Sequence, residues 1–170
     1  MSDTQPLPPV LLRAAGPGDA GLLADLLAAL SPESSFHRFM AGVGAPNPAL
    51  VRGLLRSEPG RGALLALVGG VPVGHACWSV SPRRQVDVGV LVTDAFQGRG
   101  IGTALFSAAV DAARAEGADA VHLDVHPDNR RLVAALRRRF GGNAFVWEHG
   151  LLSVDVPVTA LPLAPVVAAA

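Results

Sequence analysis

The chain has no lysine and no tyrosine, a single cysteine, and only 5% aromatic residues. Each shortage excludes something. One thiol, Cys77, cannot form an internal disulfide, and its mid-strand setting in Gly74–Ser79 reads as packing rather than chemistry. All fourteen basic residues are arginine, and fourteen acidic residues balance them, so no global field draws in nucleic acid. No apolar run reaches the roughly 18 to 20 residues that cross a bilayer, which argues against a membrane partner. Met1–Pro6 has neither the positive n-region nor the apolar h-region of a secretory signal, so a cytoplasmic location is expected. No G-x-S-x-G elbow is present, and no serine has a recognisable histidine partner, which removes support for a hydrolase.

What is present points to one folded unit. The 170 residues are 50% apolar and 16% charged, enough to build a substantial core and too apolar for disorder. Leu11–Ala15 reads as a first strand. Asp19–Leu30 follows as a helix, with a stripe at Leu22, Leu23, Leu26, Leu27 and Leu30. Ser31 is a cap with Pro32 in the first turn of a second helix reaching Met40, and a third helix is expected over Ala49–Ser57. Ala63–Val68 and Pro72–Val80 are β-prone runs joined by a Gly69-Gly70 hairpin, and Val86–Val92 is the fourth strand. A helix from the glycine loop to Gly117 leads to a strand at Val121–Val125, a β-α-β crossover. Arg130–Phe140 is then helical, and Ala144–Trp147 and Leu151–Val156 are closing strands. The expected division is one domain over 1–160 and an apolar tail over 161–170.

Gln97-Gly-Arg-Gly-Ile-Gly102 sits between the fourth strand and an Ala-rich helix. A helix start leaves N–H groups unpaired and carries about half a positive charge, so a strand, glycine loop and helix in this order suit a diphosphate. Spacing narrows the use. A dinucleotide fingerprint needs a glycine where Thr103 stands, and a P-loop needs a lysine the chain lacks.

Gln-x-x-Gly-x-Gly, read at Gln97, Gly100 and Gly102, resembles the coenzyme A pyrophosphate loop of the GNAT superfamily of N-acetyltransferases. Val86–Val92 is similar to that family's fourth strand, and Val121–Val125 with Asn129 to its fifth strand and the asparagine beyond. Together these parts span about 60 residues. Leu30-Ser-Pro-Glu-Ser-Ser-Phe-His-Arg-Phe39 is similar to a segment of the protein-lysine acetyltransferase (Pat-like) branch.

The resemblance implies an α/β GNAT fold: a mixed central sheet of about six to seven strands, helices on both faces, and splayed fourth and fifth strands. It implies acetyl-coenzyme A as co-substrate, with the diphosphate on the loop formed by Gln97, Gly98, Arg99, Gly100, Ile101, Gly102 and Thr103. Val90, Leu91 and Val92 would present main-chain groups to the thioester and pantetheine, and Asn129 would contact the pantetheine arm. The family's basic glutamate falls at Asp87 on the fourth strand or Asp124 on the fifth, both one methylene shorter. Asp87 is preferred, because the Pat-like match points to its strand. Many relatives protonate the departing thiolate with a tyrosine, but the matching stretch here is Leu136-Arg-Arg-Arg-Phe140.

An amine is the implied acceptor. A protein lysine leads, and a small-molecule amine or a non-catalytic acyl-coenzyme A sensor are the alternatives. The lysine-free chain could not modify its own lysine side chains. His122, Asp124 and His126 alternate onto one strand face, a pattern that raises a metal site, but no metal is expected. Arg130, Arg131, Arg137, Arg138 and Arg139 form a basic cluster that reads as a solvated helix face, or as a contact for the nucleotide phosphate or an acidic partner. A monomer or homodimer is expected.

Overall fold

The computed structural model describes residues 9–40 and 46–161; of the expected tail, only Leu161 falls within them. Seven strands form one mixed sheet: β1 (Val10–Ala15), β2 (Arg61–Val68), β3 (Val71–Val80), β4 (Gln85–Val92), β5 (Ala120–Val125), β6 (Val146–Glu148) and β7 (Leu151–Pro157). Their order is β1-β2-β3-β4-β5-β7-β6. Only β4 and β5 pair in parallel; the other neighbours are antiparallel. The parallel pair needs a crossover, and the helix after the glycine loop supplies it.

Among the described residues, five helices cover the two faces: α1 (Ala20–Ala28), α2 (Pro32–Phe39), α3 (Pro48–Leu54), α4 (Ile101–Ala115) and α5 (Arg130–Phe140). Side-chain alternation sorts them. Ala15, Ala63, Leu65 and Leu91 face α1 and α3 and bury Leu23, Leu26 and Val51. Ala66, Val73 and Ala76 face α4, against Ile101, Leu105 and Ala109. Val125 and Leu152 carry α5 through Val133 on that same face. Each fully buried Leu or Val contributes about 1.5 to 3 kcal/mol, so these faces fix the sheet register.

Several boundaries shift by a few residues, α3 for one ending at Leu54 rather than Ser57, and two of the shifts have visible causes. Asp19 does not cap α1 with its side chain, because its carboxylate is held by the Arg13 guanidinium (2.6 and 3.0 Å) and the Gly16 N–H (3.0 Å). That hydrogen bonding drives the Asp19 carboxyl down to about 2. Near the C-terminus, Gly142–Ala144 forms a short 3-10 turn, and β6 begins at Val146 rather than Ala144.

Among the described residues, the most deeply buried polar side chain is a histidine. His75 is fully buried on β3, its Nε2 3.2 Å from the Leu54 carbonyl and its Nδ1 without a partner. Burial, with the Arg38 charge adding to it, pushes its pKa down from 6.5 to about 4. The unfolded chain therefore binds the extra proton first as pH falls. The His75 contribution to stability is expected to be constant above pH 6.5 and to drop by about 3 kcal/mol between there and pH 4. Urea midpoints across that range check it; His75→Gln should lose this part of the slope.

Candidate active site

The glycine loop is built as a helix start. After β4 and a 3-10 turn over Asp94–Phe96, Gly100 occupies the N-cap of α4 in the left-handed region (φ 82°) with no side-chain cap. The first helical bond runs from the Ala104 N–H to the Gly100 carbonyl (2.9 Å), so the amides of Ile101, Gly102 and Thr103 lie ahead of the ladder. The Ile101 side chain is buried, so only its main chain is available to a ligand. Arg99 instead lies over the Phe96 ring.

Gln97 braces the loop. Its amide donates to the Val92 carbonyl and to Ser34 Oγ, both at 3.0 Å. Next to it, the Asp94 carboxylate accepts from the Ser31 N–H (3.2 Å), Ser31 Oγ (2.9 Å) and Ser34 Oγ (2.9 Å). Ser31 also caps α2 by accepting from the Ser34 N–H at 3.1 Å. The start of α2 is thus fastened to the glycine loop.

Beside this loop the sheet opens. The parallel ladder covers only Gln85–Ala120, Val86–Val121 and Asp87–His122, although β4 continues to Val92 and β5 to Val125. Past the Asp87–His122 rung, β4 has no β5 partner for its outer main-chain groups. A cleft of about 1070 Å³ fills the gap, lined by Val88–Val92, Gln97, Gly98, Gly100, Gly102 and Thr103 on one side and Leu123–Val125 and Asn129 on the other. Glu33, Ser34, His37 and Arg38 of α2 and Arg130, Arg131 and Arg139 of α5 also line it. Arg38 fits because residue 89 is glycine: a Cβ there would collide with its guanidinium.

Carboxylates gather at the vertex of this opening. Asp124 lines the cleft and accepts a hydrogen bond from Ser153 Oγ. His122 lies between carboxylates, with Nδ1 2.7 Å from Asp155 and Nε2 3.4 Å from Asp124. The Asp155 hydrogen bond raises the His122 pKa, against partial burial, and the charges of Asp124, Asp155 and Asp87 add to it. Asp87 stands on the last paired rung; desolvation raises its carboxyl, His122 opposes, and Asp124 and Asp155 reinforce the rise.

The acetyltransferase (GNAT) family model matches residues 23–141, most of the chain and all of this cleft's core. The chain belongs to the GNAT family. Among solved structures it resembles the GNAT domain of S. lividans PAT, at 23% identity and TM-score 0.76, covering 86% of this chain and 89% of that one. A putative acetyltransferase from Salmonella typhimurium with its cofactor acetyl-CoA aligns at 20% identity and TM-score 0.62, covering 88% of this chain and 94% of that one. A variant of the cAMP-binding acyltransferase from Mycobacterium smegmatis aligns at 25% identity and TM-score 0.56; 92% of this chain spans 47% of that one. No curated protein matches the chain in sequence.

Within this GNAT domain, the residues expected from sequence converge unevenly. The glycines, Gln97, Thr103, Val90–Val92, Asp124 and Asn129 all line the cleft. Asn129 also caps α5, its side-chain oxygen accepting from the Leu132 N–H at 3.2 Å. Arg99, Ile101 and Asp87 are not among the lining side chains. His122, Asp124 and His126 do not converge on a common point: His126 turns to the Phe36 ring (centroids 5.0 Å apart, edge to face). Among the described residues no group of three or more His, Cys, Asp or Glu side chains is disposed to hold a metal. No described helix is long and apolar enough to cross a membrane.

Four residues at or beside the cleft were not read from sequence. Asp155 and Ser153 enter through the β5–β7 register, and Asp94 through its bonds to α2. Arg38 lay inside the Pat-like segment, but nothing in the sequence marked it. Of the arginine cluster, Arg131 reaches over Gly98 at the mouth of the loop.

Proposed function

We propose that this GNAT domain transfers an acetyl group from acetyl-coenzyme A to a primary amine, with a protein lysine as the acceptor. The observation that carries the first half is the opening of β4 from β5 directly beside an uncapped glycine-rich helix start. The amides of Ile101–Thr103 hold the diphosphate and Arg131 adds positive charge. The unpaired edge of β4 over Val88–Val92 takes the pantetheine amides and the thioester carbonyl, and Asn129 closes over the arm from α5.

An amine must be neutral to attack. A lysine with pKa near 10.4 is neutral about once in a thousand at pH 7.4, a penalty of roughly 4 kcal/mol. Asp124, inside the cleft, supplies the carboxylate that removes the proton, and Asp87, one rung behind it, adds its charge. The shortness of Asp124, by about 1.5 Å relative to glutamate, favours a water between carboxylate and amine. No tyrosine exists to protonate the thiolate, but a thiol with pKa near 8.5 leaves tolerably without one.

A protein acceptor is supported by α2, which carries the Pat-like segment and forms a wall of the cleft through Glu33, Ser34, His37 and Arg38. Thiol release should be followed with acetyl-coenzyme A against lysine-containing proteins and peptides, polyamines and small amines. Turnover strongest with polypeptide lysine is expected. Turnover confined to small amines would move the acceptor; coenzyme binding without turnover on any amine would make the domain a sensor.

A further inference from the structure

The rung where β4 and β5 part carries a histidine that the acetyltransferase family pattern does not call on. His122 is the β5 half of that rung, opposite Asp87. Its ring is held from two sides: Nδ1 lies 2.7 Å from Asp155 Oδ1 across β7, and Nε2 lies 3.4 Å from Asp124 Oδ1. A carboxylate only accepts, so the short bond to Asp155 puts a proton on Nδ1 and leaves the Nε2 lone pair aimed at Asp124. Asp124 in turn faces the cleft, while Asp155 is the more solvent-exposed carboxylate, its side chain 58% exposed. The groups therefore run in file from cleft to solvent.

We infer that Asp155 and His122 form a dyad that accepts, through Asp124, the proton leaving the acceptor ammonium. The step balances. An N–H bond of the ammonium breaks and its proton passes by water to the Asp124 carboxylate. Asp124 then yields it to His122 Nε2, giving an imidazolium held by the Asp155 charge. Loss of that proton to bulk water restores the neutral ring. No redox partner is needed.

This arrangement answers the problem set by the short carboxylates. A carboxylate is a weak base toward an ammonium, whereas an imidazole whose pKa is raised by its anionic neighbours is a stronger one. The groups facing the ring are all accounted for: Asp124 on its own strand, Asp155 on β7, and Asp87 on β4. The nearest cation on α2, Arg38, sits over Gly89, two residues beyond Asp87 on the same face. Three anions outweigh it, and they favour the imidazolium. Ser153 fixes the Asp124 carboxylate by donating to the oxygen that faces the ring.

The inference rests on the acetyltransferase reading, and the test separates the two. The full chain, with an amine that supports turnover, is compared with His122→Gln and Asp155→Asn. General-base catalysis sets the scale: His122→Gln should lower kcat about 100-fold and Asp155→Asn about 10-fold, with coenzyme affinity by calorimetry unchanged. Asp155→Asn should also move the acidic limb of the kcat profile to lower pH, because the ring loses its anionic partner. By NMR the His122 ring should titrate above the ordinary histidine value in the wild type and below that position in Asp155→Asn. Turnover whose pH profile neither substitution moves, or a His122 titration insensitive to Asp155→Asn, overturns the relay alone. A wild-type chain that turns over no amine overturns the acetyltransferase reading and the relay together.

Discussion

Gly100→Asp is expected to abolish coenzyme A binding, while Gly100→Asn should retain most of it. The two side chains have nearly the same shape, and both tolerate the left-handed region better than other residues. Gly100 has φ 82° and no atom within 4 Å of where a Cβ would sit, so neither replacement meets a wall. Each carries the backbone cost of leaving glycine, about 1 kcal/mol in stability, which is common to the free and bound protein. The difference is charge. A carboxylate about 5 Å from a diphosphate, at an effective dielectric near 20, adds about 3 kcal/mol of repulsion per unit charge, more than about 100-fold. Calorimetry at fixed ionic strength reads both variants directly. Equal affinities for the aspartate and asparagine variants would show that the phosphates lie elsewhere.

That the charge test could be aimed at residue 100 at all reflects where the sequence carries information. Strand, glycine loop and helix are contiguous, and each is written in local terms: β-branched alternation over Val86–Val92, glycines at 98, 100 and 102, and a helical stripe from Ile101. The same holds for the Ser31 cap and the Gly69-Gly70 turn, which joins β2 to β3 with both glycines at positive φ. Contacts between distant segments were not legible. The Asp155 partner of His122 is 33 residues away and depends on the β5–β7 register. The Asp94 clamp joins residues 60 and 63 apart and exists only because α2 folds back over the end of β4.

Local signals also misled where a tertiary partner captured the signalling group. Asp19 has the chemistry of a helix cap, but Arg13 on the neighbouring strand takes its carboxylate, and a 3-10 turn over Pro17–Asp19 leads into α1 instead. His122, Asp124 and His126 alternate as a metal triad would, yet the sheet register gives His122 to Asp155 and the α2 helix takes His126. A periodicity of two sets the face of a strand and leaves open what the face meets.

Asp124→Asn should cost about 100-fold in kcat with the coenzyme affinity unchanged, and Asp87→Asn about 10-fold. The ranking follows from position. Asp124 is inside the cleft and next to His122, whereas Asp87 acts from the rung behind, mainly through its charge. The shape of the pH profile tests the assignment better than the size of the loss. With the base in place, kcat/KM for the amine rises with pH until the base is deprotonated and then levels, because proton removal is done by the enzyme. Without it, only amine already neutral in solution can react, and that fraction grows about ten-fold per pH unit up to the amine pKa near 10.4. The Asp124→Asn profile should therefore climb without a plateau, and its deficit should shrink steadily toward high pH. Asp87→Asn keeps the plateau but should shift its acidic edge downward, since one of the anions that stabilise the His122 imidazolium is gone. An Asp124→Asn profile parallel to the wild type, whatever its height, would mean that this carboxylate takes no proton from the acceptor.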